Sequence, residues 1–173
     1  MKPHFARMAQ YNAWANSRLY AAARGLTDES YRRNVGAFFG SLHGTLNHLL
    51  VTDRIWMRRL TGEGDHPAQL NAIMFDDLES LERARTAEDS RIVRYVDALR
   101  EEDIDKEINY STTKGVPQRD VLAAMLAHLF NHQTHHRGQA HAILTVLGIS
   151  EPQPLDLLVM LREKARLHSR GPA

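Results

Sequence analysis

The residues of this sequence that are best suited to chemistry are its histidines, and five of the ten lie in one stretch, HLFNHQTHHRGQAH. A helix turns by about 100° per residue, so His132 and His136, four residues apart, point to the same side. They share that side with an apolar stripe formed by Met125, Leu129, Ala140, Ile143 and Leu147. Stacked imidazoles inside an apolar interior are unfavourable unless their nitrogens are satisfied, and a divalent metal ion satisfies them well. The spacing therefore predicts a metal site, with both histidines at the middle of the buried stripe.

A third ligand must come from elsewhere, because two protein ligands rarely complete a metal site. His48 lies close to the apolar stripe of a second predicted helix, whereas His43 points to the far side of it. His48 is thus the best candidate, and His66, in a loop, is a weaker alternative. The other three histidines of the stretch lie at the edge of the stripe or opposite it, with the first of them a possible ligand: His128, His135 and His141. Spacing alone leaves hydrogen-bonded core histidines as an equal alternative.

Composition narrows the chemistry that such a site can use. The chain has no cysteine, which excludes disulfides, zinc–thiolate sites and a thiol nucleophile of its own. A net charge of +1 does not favour nucleic acid as a partner. No apolar run approaches the roughly 18 residues of a membrane-spanning helix, and we see no secretory signal. We therefore expect a cytoplasmic protein that acts on a small-molecule substrate, with neither a nucleic-acid nor a membrane partner.

Helical periodicity dominates the chain and predicts an all-α four-helix bundle of the up-down-down-up type in a single domain, residues 1–173. The predicted long helices run from about Pro3 to Arg24, Ala37 to Leu60, Phe75 to Glu101, and from just after Pro117 to Leu147. The segment EINYSTTKGVPQ, residues 107–118, predicts a short extended crossing before the last of these helices. A short C-terminal helix is expected after Pro154, followed by a basic segment, residues 162–173, that frays, at least beyond about residue 168.

The same segments resemble the DinB family of damage-inducible, four-helix-bundle metalloproteins. HLFNHQTHHRGQ resembles the second metal-binding helix of that family, and LNHLLVTDRIWMRRL resembles the first, with a histidine eight residues before a tryptophan. YNAWANSRLY and the INY…KG crossing are also similar, so the resemblance extends from about Phe5 to Gly148. It implies His48, His132 and His136 as the metal ligands, and zinc or nickel as the ion, with iron or manganese as further options. It also implies a homodimer and a reaction with a low-molecular-weight thiol such as bacillithiol or mycothiol.

Three hypotheses follow for the function of such a site. Three neutral ligands leave an ion an open position, which is the catalytic pattern, so the first hypothesis is a metal-dependent thiol S-transferase that activates an external thiol. The second is a metal-dependent hydrolase, which needs an acid–base group near the metal. Gln139 lies on the correct face but cannot transfer protons, and Asp53 is about 140° from His48 by helical rotation. The third is a metal-stabilised dimeric protein without enzymatic activity.

Two further predictions concern the faces of the fourth long helix. Arg137 is expected on an exposed face, in a surface ion pair, with the binding of an acidic substrate as the less favoured alternative. The side opposite the histidines carries small and aromatic residues suited to a dimer interface, namely Ala123, Ala127 and Phe130.

Overall fold

Within residues 1–169, which the computed structural model describes, the chain forms six α-helices and one two-stranded hairpin. The elements in chain order are α1 (Lys2–Ala23), α2 (Asp28–Arg32), α3 (Leu42–Thr61), α4 (Leu78–Ala98), β1 (Glu107–Ser111), β2 (Pro117–Val121), α5 (Leu122–Val146) and α6 (Leu157–Ser169). A single 3-10 turn, Glu101–Asp103, stands between α4 and β1. The predicted all-α class, with four long helices, a short extended crossing and a short C-terminal helix, is confirmed.

The contacts between the long helices define their directions. From one contact to the next, the residue numbers increase together along α1 and α5, so these two helices are parallel. The same holds for α3 and α4. Along α1 and α4, and along α3 and α5, one number rises as the other falls, so these pairs are antiparallel. The contacts are Phe5–Phe130 and Asn12–Arg137 for α1 and α5, and Asp53–Arg85 and Thr61–Arg91 for α3 and α4. For α1 and α4 they are Lys2–Asp97 and, just after α1, Arg24–Glu82, and for α3 and α5 they are Leu49–Gln133 and Trp56–His128. The order is therefore up-down-down-up, as predicted.

The helix α3 begins at Leu42 rather than near Ala37, because a tight turn occupies residues 37–40. Gly40, with φ of 75°, donates its N–H to the carbonyl of Ala37 at 2.8 Å. The Ser41 hydroxyl then accepts the N–H of Gly44 at 3.1 Å and caps the helix. As a result Phe38 lies in the turn before the helix and is 85% exposed.

Side-chain caps also determine two other helix starts. The short helix α2 was not predicted, and the Thr27 hydroxyl caps it by accepting the N–H of Ser30 at 3.2 Å. The Asp77 carboxylate accepts the N–H of Ser80 at 2.7 Å, so α4 begins at Leu78 and not at Phe75. Both residue types are favoured N-caps, and local sequence could have revealed them.

The crossing is an antiparallel hairpin in which Glu107 pairs with Val121 and Ser111 with Pro117. Its second strand continues directly into α5, which starts at Leu122. Pro117 therefore opens a strand instead of preceding the helix, a position that suits a residue without an N–H donor.

The centre of the bundle contains a network of buried charged and polar side chains. Arg85 lies 2.8 Å from Asp53 on α3 and 2.9 Å from Asp89 on its own helix. Asn12 on α1 donates to Asp89 at 2.9 Å and accepts a hydrogen bond from Arg137 on α5. Arg137 is 1% exposed, so the prediction of a surface ion pair for it is wrong. All four long helices contribute to this network.

The predicted dimer face is wrong at its largest residue. Phe130 is 3% exposed and stacks on Phe5, so α1 already covers it within one chain. Ala127 is exposed, and Ala123 is partly so. The homodimer itself stays a prediction.

The C-terminal segment is more ordered than expected. The helix α6 continues to Ser169, buries Met160, and holds Glu163 against Trp14 at 2.9 Å. The predicted fraying is therefore wrong for residues 162–167, which are helical, and fraying beyond about residue 168 stays a prediction. Residues 170–173 lie outside the described part of the chain. Among the helices of residues 1–169, none is sufficiently long and apolar to cross a membrane.

Candidate metal centre

The structure brings together the three histidines that the sequence singled out. His48 on α3 and His132 and His136 on α5 each present a ring nitrogen, and these three atoms lie within 4.8 Å of one another. The ring centroids of His48 and His136 are 4.5 Å apart, and those of His132 and His136 are 4.3 Å apart. Because α3 and α5 are antiparallel neighbours, His48 on α3 faces the turn of α5 that carries His132 and His136.

The two histidines of α5 do not lie at the middle of its buried face. The fully buried positions of this helix include Gln133 and Arg137, each directly after one of the histidines. His132 is only half-buried, and its ring borders an open cleft. The expected central position is thus wrong, since the polar network and not the histidine pair occupies the axis of the bundle. The pair lies where the core meets the cleft, which is accessible to a ligand.

Two of the rings are held by hydrogen bonds from the nitrogen that faces away from the cluster. His48 Nδ1 lies 2.7 Å from the carbonyl oxygen of Leu70, and His136 Nδ1 lies 2.8 Å from Oε1 of Gln139. An oxygen acceptor at Nδ1 requires the proton to be there, so Nε2 of each ring carries the free lone pair. Nε2 of His48 is buried and has no hydrogen-bond partner. A buried nitrogen of this kind fits a bound cation.

Burial also keeps these imidazoles uncharged. Desolvation lowers the pKa of His48 to about 4, and the adjacent His136 contributes to the same shift. Desolvation, together with the neighbouring histidines, lowers the pKa of His132 to about 3. The pKa of His136 is lowered for the same principal reason. Neutral imidazole is the form that binds metal ions, so the cluster is in its ligand form at neutral pH.

A cleft of about 720 Å³ adjoins the cluster. Its walls come from the turn before α3, from the loop between α3 and α4, and from α5, and they include Phe38, Phe39, Leu70, Asn71, His135 and Gln139. Phe39 stacks on His48 with ring centroids 3.8 Å apart and meets His136 edge-on at 5.5 Å. The cleft is therefore mostly apolar, with imidazoles at its base.

The remaining candidates lie outside the cluster. His43 contacts the carbonyl of Phe75 through Nε2 at 3.1 Å, on the far side of α3 as predicted. His128 packs against Trp56, with ring centroids 4.7 Å apart. His66 is exposed in the loop after α3, next to Pro67.

Two polar residues near the predicted site have definite places. Asp53 is fully buried in the central network, bonded to Gln133, and does not face the cleft. Gln139 is on the cleft side as predicted, where it holds His136.

Sequence reasoning missed the contributions of Leu70 and Phe39. Leu70 acts through its backbone carbonyl, which carries no sequence signal. Phe39 reaches His48 because the turn at residues 37–40 reverses the chain, and Gly40 before the Ser41 cap was the available sign of that turn. The sequence predicts His135 at the edge of the stripe, and the structure shows it in the wall of the cleft.

Fold and site together define a four-helix-bundle protein with a three-histidine group that could hold a metal ion. The model of the DinB family matches residues 1–166, and the chain belongs to that family. It is 24% identical over 146 residues to Protein DinB of Bacillus subtilis (strain 168), a match covering 82% of this chain and 85% of that protein. The crystal structure of a DinB-like protein from Bacillus cereus ATCC 10987 superimposes with a TM-score of 0.62 at 16% identity, covering 82% of this chain and 91% of that one. The likeness to this crystal structure supports the fold.

Proposed function

We propose that the protein binds one divalent metal ion through His48, His132 and His136 and catalyses transfer of a low-molecular-weight thiol to a small electrophile. The observation that carries the proposal is the convergence of three neutral ring nitrogens beside an open cleft. Structural zinc sites commonly have four protein ligands, whereas catalytic sites keep a position free. Three protein ligands next to a cleft fit the second pattern.

The chain itself supports the use of an external thiol. It contains no cysteine, so any sulfur nucleophile must come from a cosubstrate. When bound, the metal ion would favour the thiolate form of a thiol that reaches it. Phe38 and Phe39 offer an apolar wall for the electrophile, because both line the cleft beside the histidines.

His135 is suited to proton transfer in this reaction. Its exposed imidazole lines the cleft next to His136, with ring centroids 4.7 Å apart. In the proposed reaction the thiol gives its proton to His135. The sulfur of the thiol then forms a bond to the electrophilic carbon of the second substrate. The bond from that carbon to the leaving group breaks, and its electron pair departs with the leaving group. Replacing His135 with Gln should lower turnover without weakening metal binding.

Metal content tests the ligand assignment. Purified wild-type protein is expected to carry about one ion per chain, zinc or nickel in preference to iron or manganese, by elemental analysis. His132→Ala should lose it, and His141→Ala should retain it, because His141 on the same helix contacts Gln153 and lies outside the cluster. Stoichiometric metal in His132→Ala would refute the assignment.

A separate assay tests the reaction. Metal-loaded protein is mixed with an activated aryl chloride or an epoxide and with bacillithiol, mycothiol, glutathione or coenzyme A. Product formation should require both the metal and one of these thiols. If the metal is bound but no thiol supports turnover, thiol transfer is refuted while the metal site stands. A stabilising ion without any activity would indicate the non-enzymatic alternative.

One observation favours metal-dependent hydrolysis as a second candidate. Hydrolysis needs an acid–base group at the site, and His135 supplies one that the sequence alone did not identify. Ester hydrolysis that continues without any thiol, and that His135→Gln abolishes, would favour this reading over thiol transfer.

A further inference from the structure

A second cleft, of about 490 Å³, lies between the C-terminal end of α3, the loop that follows it and the β-hairpin. Its polar lining is basic and hydroxylic, with Arg58, Arg59, His66, Ser111 and Thr113 among the residues that form it. Among residues 1–169, no aspartate or glutamate lines it. The volume falls in the range of small-molecule sites, about 300–1,000 Å³.

Arg59 is the most informative residue of this cleft. Its guanidinium lies over the ring of Trp56 at 4.5 Å and near that of Tyr110 at 5.1 Å. Burial lowers the pKa of Arg59, which shows that the surrounding protein disfavours its charge. Among residues 1–169 no carboxylate lies within ion-pair distance of it. Most other half-buried or buried arginines of the bundle have such a partner, for example Arg54 and Arg91 with Glu88.

The residues that line the cleft beside Arg59 add hydrogen-bond donors, and Asp120, outside the lining, accepts the hydroxyl of Tyr110 at 2.7 Å. Arg58 is exposed and donates to the carbonyl of Gly64 at 3.3 Å, which uses one of its five donors. The hydroxyls of Ser111 and Thr113 lie on the hairpin side of the cleft. Gly115, with φ of 76°, keeps the turn beside them narrow. Two arginines and two hydroxyl residues that line one cleft suit an anionic oxygen group, which arginine binds in bidentate fashion.

We infer that this cleft binds the carboxylate or phosphate group of a small molecule, with Arg59 as the principal anchor and Arg58 as a second cation. The faces of Trp56 and Tyr110 orient Arg59, and Ile55 and Tyr110, which line the cleft, offer an apolar surface for the remainder of the ligand. A cationic ligand is excluded by charge, and a neutral one would leave the Arg59 guanidinium without a counter-ion.

The cleft is distinct from the histidine centre. His48 and Arg59 are eleven residues apart on α3, so they share one face, with a rise of about 16 Å between them. Trp56 and His128, in contact with each other, lie between the two sites. The inference therefore does not depend on metal binding or on thiol transfer, and it is tested on metal-free protein.

The test is a titration followed by amide NMR signals. Metal-free protein receives inorganic phosphate in one series and succinate in another, with ionic strength held constant by sodium chloride. We expect saturable shifts at the amides of Gly62 and Gly115 with at least one of the two anions. Saturation by phosphate alone assigns a phosphate-bearing ligand, and saturation by succinate alone assigns a carboxylate-bearing one.

Variants identify the anchor. Arg59→Gln should raise the dissociation constant at least tenfold, and Arg58→Gln should raise it about threefold. Arg94→Gln, at an exposed position on α4, is the matched control for charge and should leave the constant unchanged. If Arg59→Gln disturbs the fold by circular dichroism, the exposed Arg58→Gln decides. Absence of saturable shifts with both anions, or unchanged affinity in the folded arginine variants, would overturn the inference.

Discussion

The hydrogen bond between His136 and Gln139 offers a sharp test of how the candidate centre is held. Gln139 accepts the Nδ1 proton of His136 at 2.8 Å and thereby fixes both the tautomer and the ring orientation. Replacing Gln139 with Leu removes the acceptor and puts an apolar side chain of similar size in its place. The His136 ring can then turn or move its proton to Nε2, and both changes remove a ligand lone pair from the cluster.

The size of the effect follows from the role of such outer partners. Loss of one hydrogen bond to a ligating histidine weakens metal binding about 10–100-fold. At about 1.4 kcal/mol for each factor of ten, this corresponds to about 1.4–2.8 kcal/mol. Gln139→Glu should retain or exceed wild-type affinity, because a carboxylate accepts the same proton more strongly.

The assay is a zinc titration in competition with a chelating dye, at neutral pH. Gln10→Leu is the matched control, since Gln10 is exposed on α1, pairs with Lys164 and lies away from the cleft. The reasoning is refuted if Gln139→Leu binds zinc as tightly as wild type, or if the control loses as much affinity. Unfolding curves of the metal-free variants show whether either change acts through stability.

Two other predictions concern stability. Asp53→Ala leaves Arg85 buried with one carboxylate fewer, so we expect a loss of about 3–5 kcal/mol in the free energy of unfolding by urea, against little change for exposed Asp105→Ala. A difference below about 1 kcal/mol would contradict the assigned network. In metal-free protein, burial lowers the pKa of His48 to about 4. Between about pH 6.5 and pH 4, His48 therefore binds a proton in the unfolded state but not in the folded state. As the pH falls through that window, His48 should lower the free energy of unfolding of the wild type by about 2 kcal/mol relative to His48→Gln, allowing for water in the cleft. The comparison isolates His48 from Asp53, because burial raises the pKa of Asp53 to about 7 and its titration acts in the opposite direction. Above about pH 6.5 the difference between the two proteins should stay constant.

The part of the site that follows from helix periodicity was predictable. His48, His132 and His136 were chosen by spacing and by helical rotation, and the structure places them together because α3 and α5 are regular and adjacent. The position of the pair on α5 was wrong for a physical reason. Gln133 and Arg137 are polar by type, yet Gln133 donates to Leu49 and Asp53 on α3 and Arg137 donates to Asn12 on α1, so both can be buried. A single helix considered alone does not reveal such partners.

Irregular segments account for the other differences. Residues 37–40 turn back before α3, and a Cβ at Gly44 would overlap the carbonyl oxygen of Phe39, which shows how closely the turn packs there. This closeness brings Phe39 onto His48, a contact that depends on tertiary structure. The Leu70 carbonyl reaches the same histidine across the loop from α3 to α4. Local patterns could identify the Ser41 and Asp77 caps but not these long-range contacts.

The walls of the histidine cleft come from two kinds of structural element, helices and connecting segments, and this has a practical consequence. The nitrogen donors stand on two helices whose alignment is secured by buried charges, while Phe38, Phe39, Leu70 and Asn71 belong to connecting segments. Substitutions at Phe38 or Asn71 can reshape what enters the cleft while Phe39 and the Leu70 carbonyl continue to hold His48. Redesign of selectivity in this bundle should therefore begin at the connections, with the helical framework left untouched.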